Sequence, residues 1–193
     1  MNQKKEFKVT TIGASGVGKT SIINRFYFGT FNEMGSPTVG AAYVKCQVEL
    51  PSGLVVLNLW DTAGQEKYAN LVPVYMRDSN AVIVVFDLTQ PNQMESVQGY
   101  INMIRDSLPP EVPIILAGNK ADLASGNAGY DVHSWAMSNS IPSFSVSAKT
   151  GQGIDDLFHA VAEGSLQKLP VVTIANKKLA ERRDREENPS GCC

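Results

Sequence analysis

The chain contains little of what marks several large classes of protein. Three cysteines among 193 residues cannot supply a disulfide framework, and the two histidines have no ligand-type residues near them in the sequence. The net charge of −2 does not favour nucleic-acid binding. The longest apolar runs, such as residues 81–86, are too short to span a bilayer, and residues 1–6 lack the apolar stretch of a signal peptide. We therefore expect a protein made and kept in the cytosol, with no nucleic-acid partner.

What the sequence does contain is an alternation of strand and helix patterns. Hydrophobic residues make up 43% of the chain, which is typical of a globular domain. The alternation predicts an α/β fold with helices on both faces of a mostly parallel sheet, and Cys46 is expected to be a small buried residue within it. An antiparallel pair is predicted over residues 43–50 and 54–60. Further strands are predicted over 7–12, 81–87, 114–117 and 143–146, and helices after residue 20, over 94–108, 131–138 and 154–161, and weakly over 67–79.

Residues 13–20, Gly-Ala-Ser-Gly-Val-Gly-Lys-Thr, fit the phosphate-loop pattern G-x-x-x-x-G-K-[ST] between a predicted strand and a predicted helix. Glycines let the backbone curl round phosphate groups, and the helix directs its positive end at the anion. Lys19 can reach the outer phosphates, and the hydroxyl of Thr20 is placed to bind Mg²⁺. This loop alone does not distinguish ATP from GTP. The nucleotide contacts predicted here are Ser15, Gly16, Val17, Gly18, Lys19, Thr20 and Ser21.

A second motif, Asn119-Lys120-Ala121-Asp122, follows a predicted buried strand and suits guanine recognition. The carboxylate of Asp122 can accept hydrogen bonds from N1–H and the 2-amino group of guanine, whereas adenine offers no such pair of donors. Lys120 can lay its aliphatic stem along the base, and Asn119 is expected to brace the loop. Together with the downstream residues Ser147, Ala148 and Lys149, this motif favours GTP over ATP.

Four residues near the predicted phosphate site have the chemistry of a nucleotide-dependent switch. Asp61 ends a strand, where its carboxylate can hold Mg²⁺ through water, and the N–H of Gly64 can meet a γ-phosphate. Gln65 can position an attacking water without ionising, which is the role of a catalytic glutamine. Thr38 can close the Mg²⁺ shell when a γ-phosphate holds its loop inward, although an ordinary threonine entering a strand fits the pattern equally well.

In order and separation, these motifs resemble the Ras-like small GTPases: GASGVGKTS, Pro37-Thr38, DTAGQE, NKAD and SAK. Other features are similar to the Rab branch, and TVGAAY is most similar to the endosomal Rabs. These features are Trp60 before Asp61, TVGAAY at 38–43, YMRD at 75–78, VFDLT at 85–89 and the pair Cys192-Cys193. Ala14 and Tyr43 depart from the commoner Rab pattern, but neither departure removes a group that touches phosphate or metal.

The resemblance implies a three-layer P-loop NTPase fold, the small G protein fold, with five helices and six strands, one of them an antiparallel edge strand. Residues 7–168 would form the G domain, between a flexible N-terminus (1–6) and a flexible hypervariable tail (169–193). GTP or GDP would bind with Mg²⁺, which Thr20 and Thr38 would ligate and Asp61 would support. Phe31 would pack against guanine, and the backbone of Ala148 would contact the base.

The partners are also implied by the resemblance. Tyr43, Trp60 and Tyr75 match the aromatic triad that Rab effectors contact. An exchange factor, a GTPase-activating protein, a dissociation inhibitor and a prenylation escort protein are expected, and the protein itself is expected to be a monomer. Residues 176–193 are polar with mixed charge, so stable membrane attachment would need lipid, and the paired cysteines resemble the doubly geranylgeranylated Rab end. The expected location is the cytoplasmic face of endosomal or other vesicular membranes, with a cytosolic pool.

Three functions are compatible with a phosphate loop in a chain of this kind. A GTP-hydrolysing switch in vesicle traffic explains all the motifs, and hydrolysis would be slow without an activating protein. A module that holds nucleotide without cycling is disfavoured by the presence of Thr38, Gly64 and Gln65. A small-molecule kinase would need an acceptor pocket and a lid, for which the chain has no spare segment.

Overall fold

A six-stranded sheet is the centre of the computed structural model, which describes residues 5–33, 38, 40–62, 71–126 and 128–167. The strands are β1 Lys5–Ile12, β2 Ala41–Leu50, β3 Gly53–Thr62, β4 Ala81–Asp87, β5 Ile114–Asn119 and β6 Ser143–Ser145. The helices of this part of the chain are α1 Lys19–Phe28, α2 Val72–Met76, α3 Gln93–Ser107, α4 Tyr130–Ser138 and α5 Ile154–Gln167.

The strand order is β2-β3-β1-β4-β5-β6, and every neighbouring pair is parallel except β2 with β3. The exception is the predicted antiparallel pair, and it places β2 at one edge of the sheet. Helices connect the parallel strands because such crossovers need a long connection that returns to the starting edge. The predicted fold class is therefore confirmed, with six strands and five helices among the described residues.

Two hydrophobic cores cover the two faces of the sheet. Along β4, Ile83 and Val85 belong to one core, whereas Val84 and Phe86 belong to the other, because successive strand residues point to opposite faces. The first core lies under α1 and α5, and the second lies under α2, α3 and α4. Cys46 is buried in the first core, as predicted, and burial raises the pKa of its thiol to about 11.

Most predicted elements differ from the observed ones only at their ends. β5 continues to Asn119 because Gly118 and Asn119 still pair with the end of β4. α3 ends at Ser107, one residue earlier than predicted, and Leu108 adopts an extended backbone. Of the weak helical pattern over 67–79, the described part contains only α2, since residues 67–70 lie outside the described ranges.

The carboxyl ends of the five parallel strands meet at one edge of the sheet. Register places Asp61 beside Thr11 and Asn119 beside Asp87, so the polar residues that end these strands are neighbours in space. Ligands bind at this edge in open α/β sheets, because the loops there can be shaped without disturbing the core. No helix in the described ranges is both long enough and apolar enough to cross a bilayer.

Candidate functional site

A cavity of about 630 Å³ lies at this edge of the sheet, a size typical of small-molecule sites. Its wall includes residues from the loops that follow β1, β5 and β6, from the segment before β2, and Thr62 at the end of β3. Val17, Asp61 and Ser147 are buried beside this wall and contact it through hydrogen bonds. The predicted site residues in the wall itself are Ser15, Gly16, Gly18, Lys19, Thr20, Ser21, Phe31, Thr38, Asn119, Lys120, Asp122, Ala148 and Lys149.

The loop between β1 and α1 packs too closely against its neighbours for side chains at two of its glycines. A Cβ atom on Gly13 would lie 2.2 Å from the backbone oxygen of Val85, and one on Gly18 would lie 2.3 Å from Nδ2 of Asn119. Both glycines also have positive φ angles, +147° and +96°, which other residues rarely adopt. The first turn of α1 begins at Lys19, lines the cavity and has no side-chain cap. Its first backbone N–H groups can therefore donate to an anion in the cavity.

Lys19 places a buried positive charge under this loop. Its Nζ donates hydrogen bonds to the carbonyl oxygens of Gly13 (2.9 Å) and Ala14 (2.8 Å), which fixes the ammonium at the cavity wall. Burial lowers the pKa of Lys19 to about 8, and the nearby carboxylate of Asp61 opposes that shift. A bound polyphosphate would supply the negative charge that balances this buried ammonium. The position of Lys19 at the cavity wall therefore suits a phosphate tail.

Three oxygen-bearing side chains meet beside Lys19. Thr20 donates to Oδ2 of Asp61 at 2.6 Å, Thr38 donates to the same oxygen at 3.1 Å, and the two hydroxyl oxygens are 2.7 Å apart. Burial raises the pKa of Asp61, against the lowering effect of these hydrogen bonds and of Lys19. The other carboxylate oxygen, Oδ1, is buried and accepts no hydrogen bond from the described residues.

This group of oxygens fits a magnesium ion, which prefers hard oxygen ligands and bridges them to substrate phosphates. Thr20 and Thr38 would hold the ion. Asp61 would support it with Oδ1, the carboxylate oxygen that accepts no hydrogen bond from the described residues. When bound, Mg²⁺ neutralises charge on the phosphate oxygens. The three residues predicted for the metal are thus brought together, although they come from α1, the following loop and β3.

Asn119, at the end of β5, joins two loops through one side-chain amide. Its Nδ2 donates to the carbonyl oxygen of Val17 in the phosphate loop at 2.9 Å, and its Oδ1 accepts from the amide of Ala148 at 3.1 Å. Both bonds are buried, so losing either would leave an unpaired polar group in the protein interior. This geometry gives Asn119 the bracing role expected from the sequence. The predicted contact of Ala148 with the base stays a prediction, since its N–H here donates to Asn119.

The carboxylate of Asp122 is oriented by a neighbouring hydroxyl. Ser147, which is fully buried, donates from Oγ to Oδ1 of Asp122 at 2.5 Å and accepts from the amide of Thr150 at 3.1 Å. The second oxygen of Asp122 remains for the cavity that the residue lines. Ser147 therefore belongs to the site by positioning the carboxylate that can select the base.

Asp87 was assigned no role from the sequence, and its side chain lies against Lys120. Nζ of Lys120 donates to Oδ2 of Asp87 at 2.7 Å, while Thr89 donates to Oδ1 from both its amide and its hydroxyl. Burial alone would raise the pKa of Asp87, but the hydrogen bonds from Lys120 and Thr89 outweigh it and lower the pKa. The available signal was a carboxylate at the end of a wholly apolar strand, where an unpaired charge is not expected.

The aromatic residues predicted to contact effectors lie outside the cavity, on and beside β2 and β3. The rings of Tyr43 and Trp60 meet edge to face with centroids 5.8 Å apart. Tyr75 lies in α2, half-buried, and its hydroxyl is near Gly40. Gly64, Gln65, Cys192 and Cys193 lie outside the described residues, so their predicted roles stay predictions.

A glycine-rich phosphate loop, a carboxylate placed for a base and a hydroxyl–carboxylate group for Mg²⁺ define a P-loop nucleotide-binding protein. Comparison with known families then gives the family itself. The model described as the Ras family matches residues 8–167 of the 193-residue chain. The chain belongs to the Ras family.

Family membership supplies the general activity of the site. The protein is a small GTPase, a molecular switch that binds guanine nucleotide with Mg²⁺ and converts GTP to GDP, and that works with regulators and effectors. Lys19 and the first amides of α1 combine a fixed positive charge with N–H donors that no side chain caps, which suits a phosphate tail. The wall formed by Asn119, Lys120 and Asp122 has the chemistry expected for the base.

Proposed function

We propose that this GTPase is of the Rab type and recruits effectors to vesicular or endosomal membranes in its GTP state. The observation that carries the proposal is an exposed aromatic surface near the metal group, by which we mean Thr20, Thr38 and Asp61. Tyr43 is 52% exposed, lies five residues after Thr38 and packs against Trp60 on the neighbouring strand.

The orientation of this aromatic surface is fixed by polar contacts. The hydroxyl of Tyr43 donates to Oδ1 of Asn58 at 2.7 Å, and Nζ of Lys8 lies 4.8 Å from the ring of Trp60. Large rigid aromatic side chains with a polar end are the residues that dominate protein interfaces. Such a preorganised pair suits an effector that contacts β2 and β3, with Tyr75 as the third predicted contact.

The switch would act through Thr38, which connects the metal group to this surface. Its hydroxyl contacts Thr20 and Asp61 from the segment that leads into β2. A γ-phosphate with Mg²⁺ would hold that hydroxyl, and its loss on hydrolysis would release the segment before Tyr43. Effector binding would then depend on the third phosphate because the aromatic surface and the metal group share one short stretch of chain.

The effector surface can be tested by nucleotide-dependent protein capture. Some proteins are captured by the parent only when it is loaded with a non-hydrolysable GTP analogue, and Tyr43→Ala should bind these proteins at least about tenfold more weakly, since an aromatic hot-spot residue contributes about 2 kcal/mol or more. Tyr130→Ala is a matched control, because Tyr130 is 67% exposed on α4. Equal loss in both variants, or none in Tyr43→Ala, contradicts the proposed surface.

Hydrolysis is assigned to Gln65, which would position the attacking water, and a GTPase-activating protein would add roughly 10³–10⁵-fold by supplying an arginine. Single-turnover hydrolysis of bound GTP by Gln65→Leu tests this role. We expect the variant to hydrolyse GTP much more slowly than the parent and to respond little to an activating protein. Equal rates in variant and parent show that Gln65 is not the water-positioning residue.

Membrane attachment is assigned to two geranylgeranyl groups on Cys192 and Cys193. The protein would lie on the cytoplasmic face of the membrane, with a cytosolic pool maintained by a dissociation inhibitor, after delivery by a prenylation escort protein. An exchange factor would load GTP there. Two lipid chains give stable anchoring and one gives marginal binding, so the cysteines can be removed one at a time.

Imaging of a tagged protein in its own cell type tests this location. The parent should coat vesicular or endosomal membranes, Cys193→Ser should bind weakly, and the double variant Cys192→Ser/Cys193→Ser should be cytosolic. Cys46→Ala is the control for loss of a cysteine, because Cys46 is buried in the core and unavailable to lipid. A double variant that still coats the same membranes would contradict lipid attachment at these cysteines.

A further inference from the structure

Arg25, near the end of α1, binds the backbone of the loop that follows β6. Its Nε donates to the carbonyl oxygen of Ala148 at 2.7 Å, and its Nη2 donates to the carbonyl oxygen of Lys149. Its Nη1 donates to the carbonyl oxygen of Gly29 at 2.7 Å. One guanidinium group thus holds two consecutive carbonyls of a segment more than a hundred residues away, and it is itself held by the residue that ends its helix.

The segment that Arg25 holds forms part of the cavity wall. Ala148 and Lys149 line the cavity, and the preceding Ser147 holds the base-selecting carboxylate of Asp122. On the inner side, the amide of Ala148 bonds to Asn119. Arg25 supplies the corresponding bonds on the outer side, and its planar fork fits adjacent carbonyl oxygens better than a lysine ammonium would.

The same segment is joined to the opposite wall by an ion pair. Nζ of Lys149 contacts Oε1 of Glu33 at 2.6 Å, and Glu33 lies two residues after Phe31, which also lines the cavity. Both charged groups are exposed, so the pair alone contributes little and weakens in salt. It nevertheless connects two segments of the cavity wall, and Arg25 fixes one of them to α1.

We propose that Arg25 is a positioning residue that sets how long guanine nucleotide stays bound, by holding the Ala148–Lys149 segment against the base side of the cavity. The ion pair of Lys149 with Glu33 extends this hold to the segment of Phe31. Nucleotide release requires these two segments to separate. Removal of the guanidinium lowers the free energy needed to separate them. The proposal rests on guanine-nucleotide binding and is independent of any role in membrane traffic.

The competing explanation is that Arg25 only strengthens packing of α1 against the rest of the domain. The two explanations predict different effects of losing Arg25 on the hydrolysis of bound GTP. The side-chain hydrogen bonds of Arg25 go to Ala148, Lys149 and Gly29 rather than to the Thr20, Thr38 and Asp61 group, so its loss should leave the chemistry of bound GTP unchanged. General loosening of α1 would disturb Lys19 and Thr20, which begin that helix, and would slow hydrolysis as well.

The test is the release rate of a fluorescent GDP analogue from purified protein, chased with excess GDP in Mg²⁺. Arg25→Ala should release it about tenfold faster or more, because charged hydrogen bonds to the segment are lost. Arg25→Lys should lie between Arg25→Ala and the parent, since an ammonium can keep part of the bonding. Arg105→Ala, in the last turn of α3, removes the same charge elsewhere and should match the parent.

Single-turnover hydrolysis of preloaded GTP is measured on the same variants and should stay within about twofold of the parent. Release at the parental rate in Arg25→Ala overturns the proposal. Faster release accompanied by an equal loss of hydrolysis also overturns it, because that result identifies a general packing role. Should Arg25→Ala not fold, Arg25→Lys decides alone, and parental release by that variant counts against the proposal.

The ion pair has its own arm of the experiment. Glu33→Gln should speed release about twofold at low salt and have no effect at about 1 M salt, where charges on the surface are screened. Glu111→Gln, in the loop after α3, is the matched control. Equal acceleration at both salt concentrations shows that Glu33 acts otherwise than through Lys149. These measurements use soluble protein without membranes, so failure of the trafficking proposal leaves them unaffected.

Discussion

Single side chains at this site act mainly by holding other groups in place. Asn119 links the phosphate loop to Ala148, and Ser147 turns the carboxylate of Asp122, while neither pairing follows from sequence spacing. Each bond lies in a buried or half-buried place, where an unmade hydrogen bond costs more than a made one contributes. Substitutions of these residues are therefore expected to weaken ligand binding and to lower the stability of the fold as well.

Asp122→Asn tests base selection directly. The amide replaces a charged acceptor with a neutral one, so affinity for GDP should fall by about 100-fold, the loss expected for two charged hydrogen bonds of the weaker kind. Xanthosine diphosphate, whose C2 oxygen can accept from the new amide, should gain affinity. Competition titrations measure both. Asp131→Asn, on α4, is the control, and an unchanged preference for GDP in Asp122→Asn contradicts the assignment.

His133 gives a pH dependence of stability at the same scale. Its ring nitrogens contact the hydroxyls of Ser143 (2.7 Å) and Ser145 (3.0 Å) on β6. Burial lowers the pKa of His133 below its ordinary value of 6.5, against the opposing charge of Asp131. The unfolded chain therefore takes up the proton first as pH falls. The free energy of unfolding should decrease as pH drops through about 6.5 and level off below the folded-state pKa.

Urea unfolding of the parent and of His133→Gln at pH 7.5 and pH 5.5 checks this prediction. Glutamine can keep a hydrogen bond to one serine but cannot take up a proton, so the variant should lose less stability between the two pH values than the parent. His159→Gln removes the other histidine and serves as the control. Equal losses in parent and His133→Gln show that His133 does not contribute to the acid sensitivity.

At the scale of elements, the position of α1 depends on the loop that precedes it. β1 and β4 pair in parallel, and the loop after β1 crosses the end of β4 very closely. The backbone oxygen of Val85 in β4 occupies the space that a side chain at Gly13 would need. α1 begins immediately afterwards and presents its amides to the cavity. The phosphate loop is thus positioned by the strands on either side of it, and its glycines are required by packing as well as by the ligand.

Gly13→Ala should destabilise the fold by about 2–4 kcal/mol, because a Cβ atom meets fixed backbone of β4 and the φ angle is unfavourable. Gly29→Ala is the matched control: its φ is +67° and a Cβ atom there meets no heavy atom within 4 Å. That variant should lose about 1 kcal/mol from backbone strain alone. Urea unfolding measures both, and losses of equal size would show that the contact with β4 is unimportant.

At the scale of the whole molecule, the site lies at the carboxyl edge of the sheet and takes residues from the loops after β1, β5 and β6, from the segment before β2 and from the end of β3. Val17 and Ala148 belong to the first core as well as to the site, so folding and ligand binding are coupled through residues that the two share. Thr20, Thr38 and Asp61 come together only when α1, β3 and the segment before β2 are all in place. A ligand that contacts them stabilises the entire arrangement relative to the unfolded chain.

Removal of Mg²⁺ and nucleotide should therefore lower the melting temperature. Ligand at about 1,000 times its dissociation constant adds about 4 kcal/mol, which corresponds to about 8–16 °C for a domain of this size. Thermal unfolding with GDP and Mg²⁺, with chelator, and with ADP and Mg²⁺ provides the comparison. ADP should stabilise far less than GDP, and equal stabilisation by the two nucleotides contradicts guanine selection.

The sequence by itself determined the elements and the chemistry that each loop carries. Strand β4 was predicted at its observed bounds because a wholly apolar run between turn signals allows few alternatives. The phosphate loop and Asn119 to Asp122 were found because their residue types follow from local backbone and ligand chemistry. Residues 63–70 and 168–193 lie outside the described ranges, so the predictions for Gln65 and for the cysteines stay predictions.

Only the tertiary structure decided which of these groups meet. Arg25 contacts Ala148 across 123 positions of chain, and Lys120 pairs with Asp87 across 33, and no local pattern marks either contact. Such pairs arise because parallel strands bring their carboxyl ends to one edge, whatever the distance along the chain. Local sequence fixes the chemistry available at that edge, whereas the order and register of the strands fix which partners each group finds there.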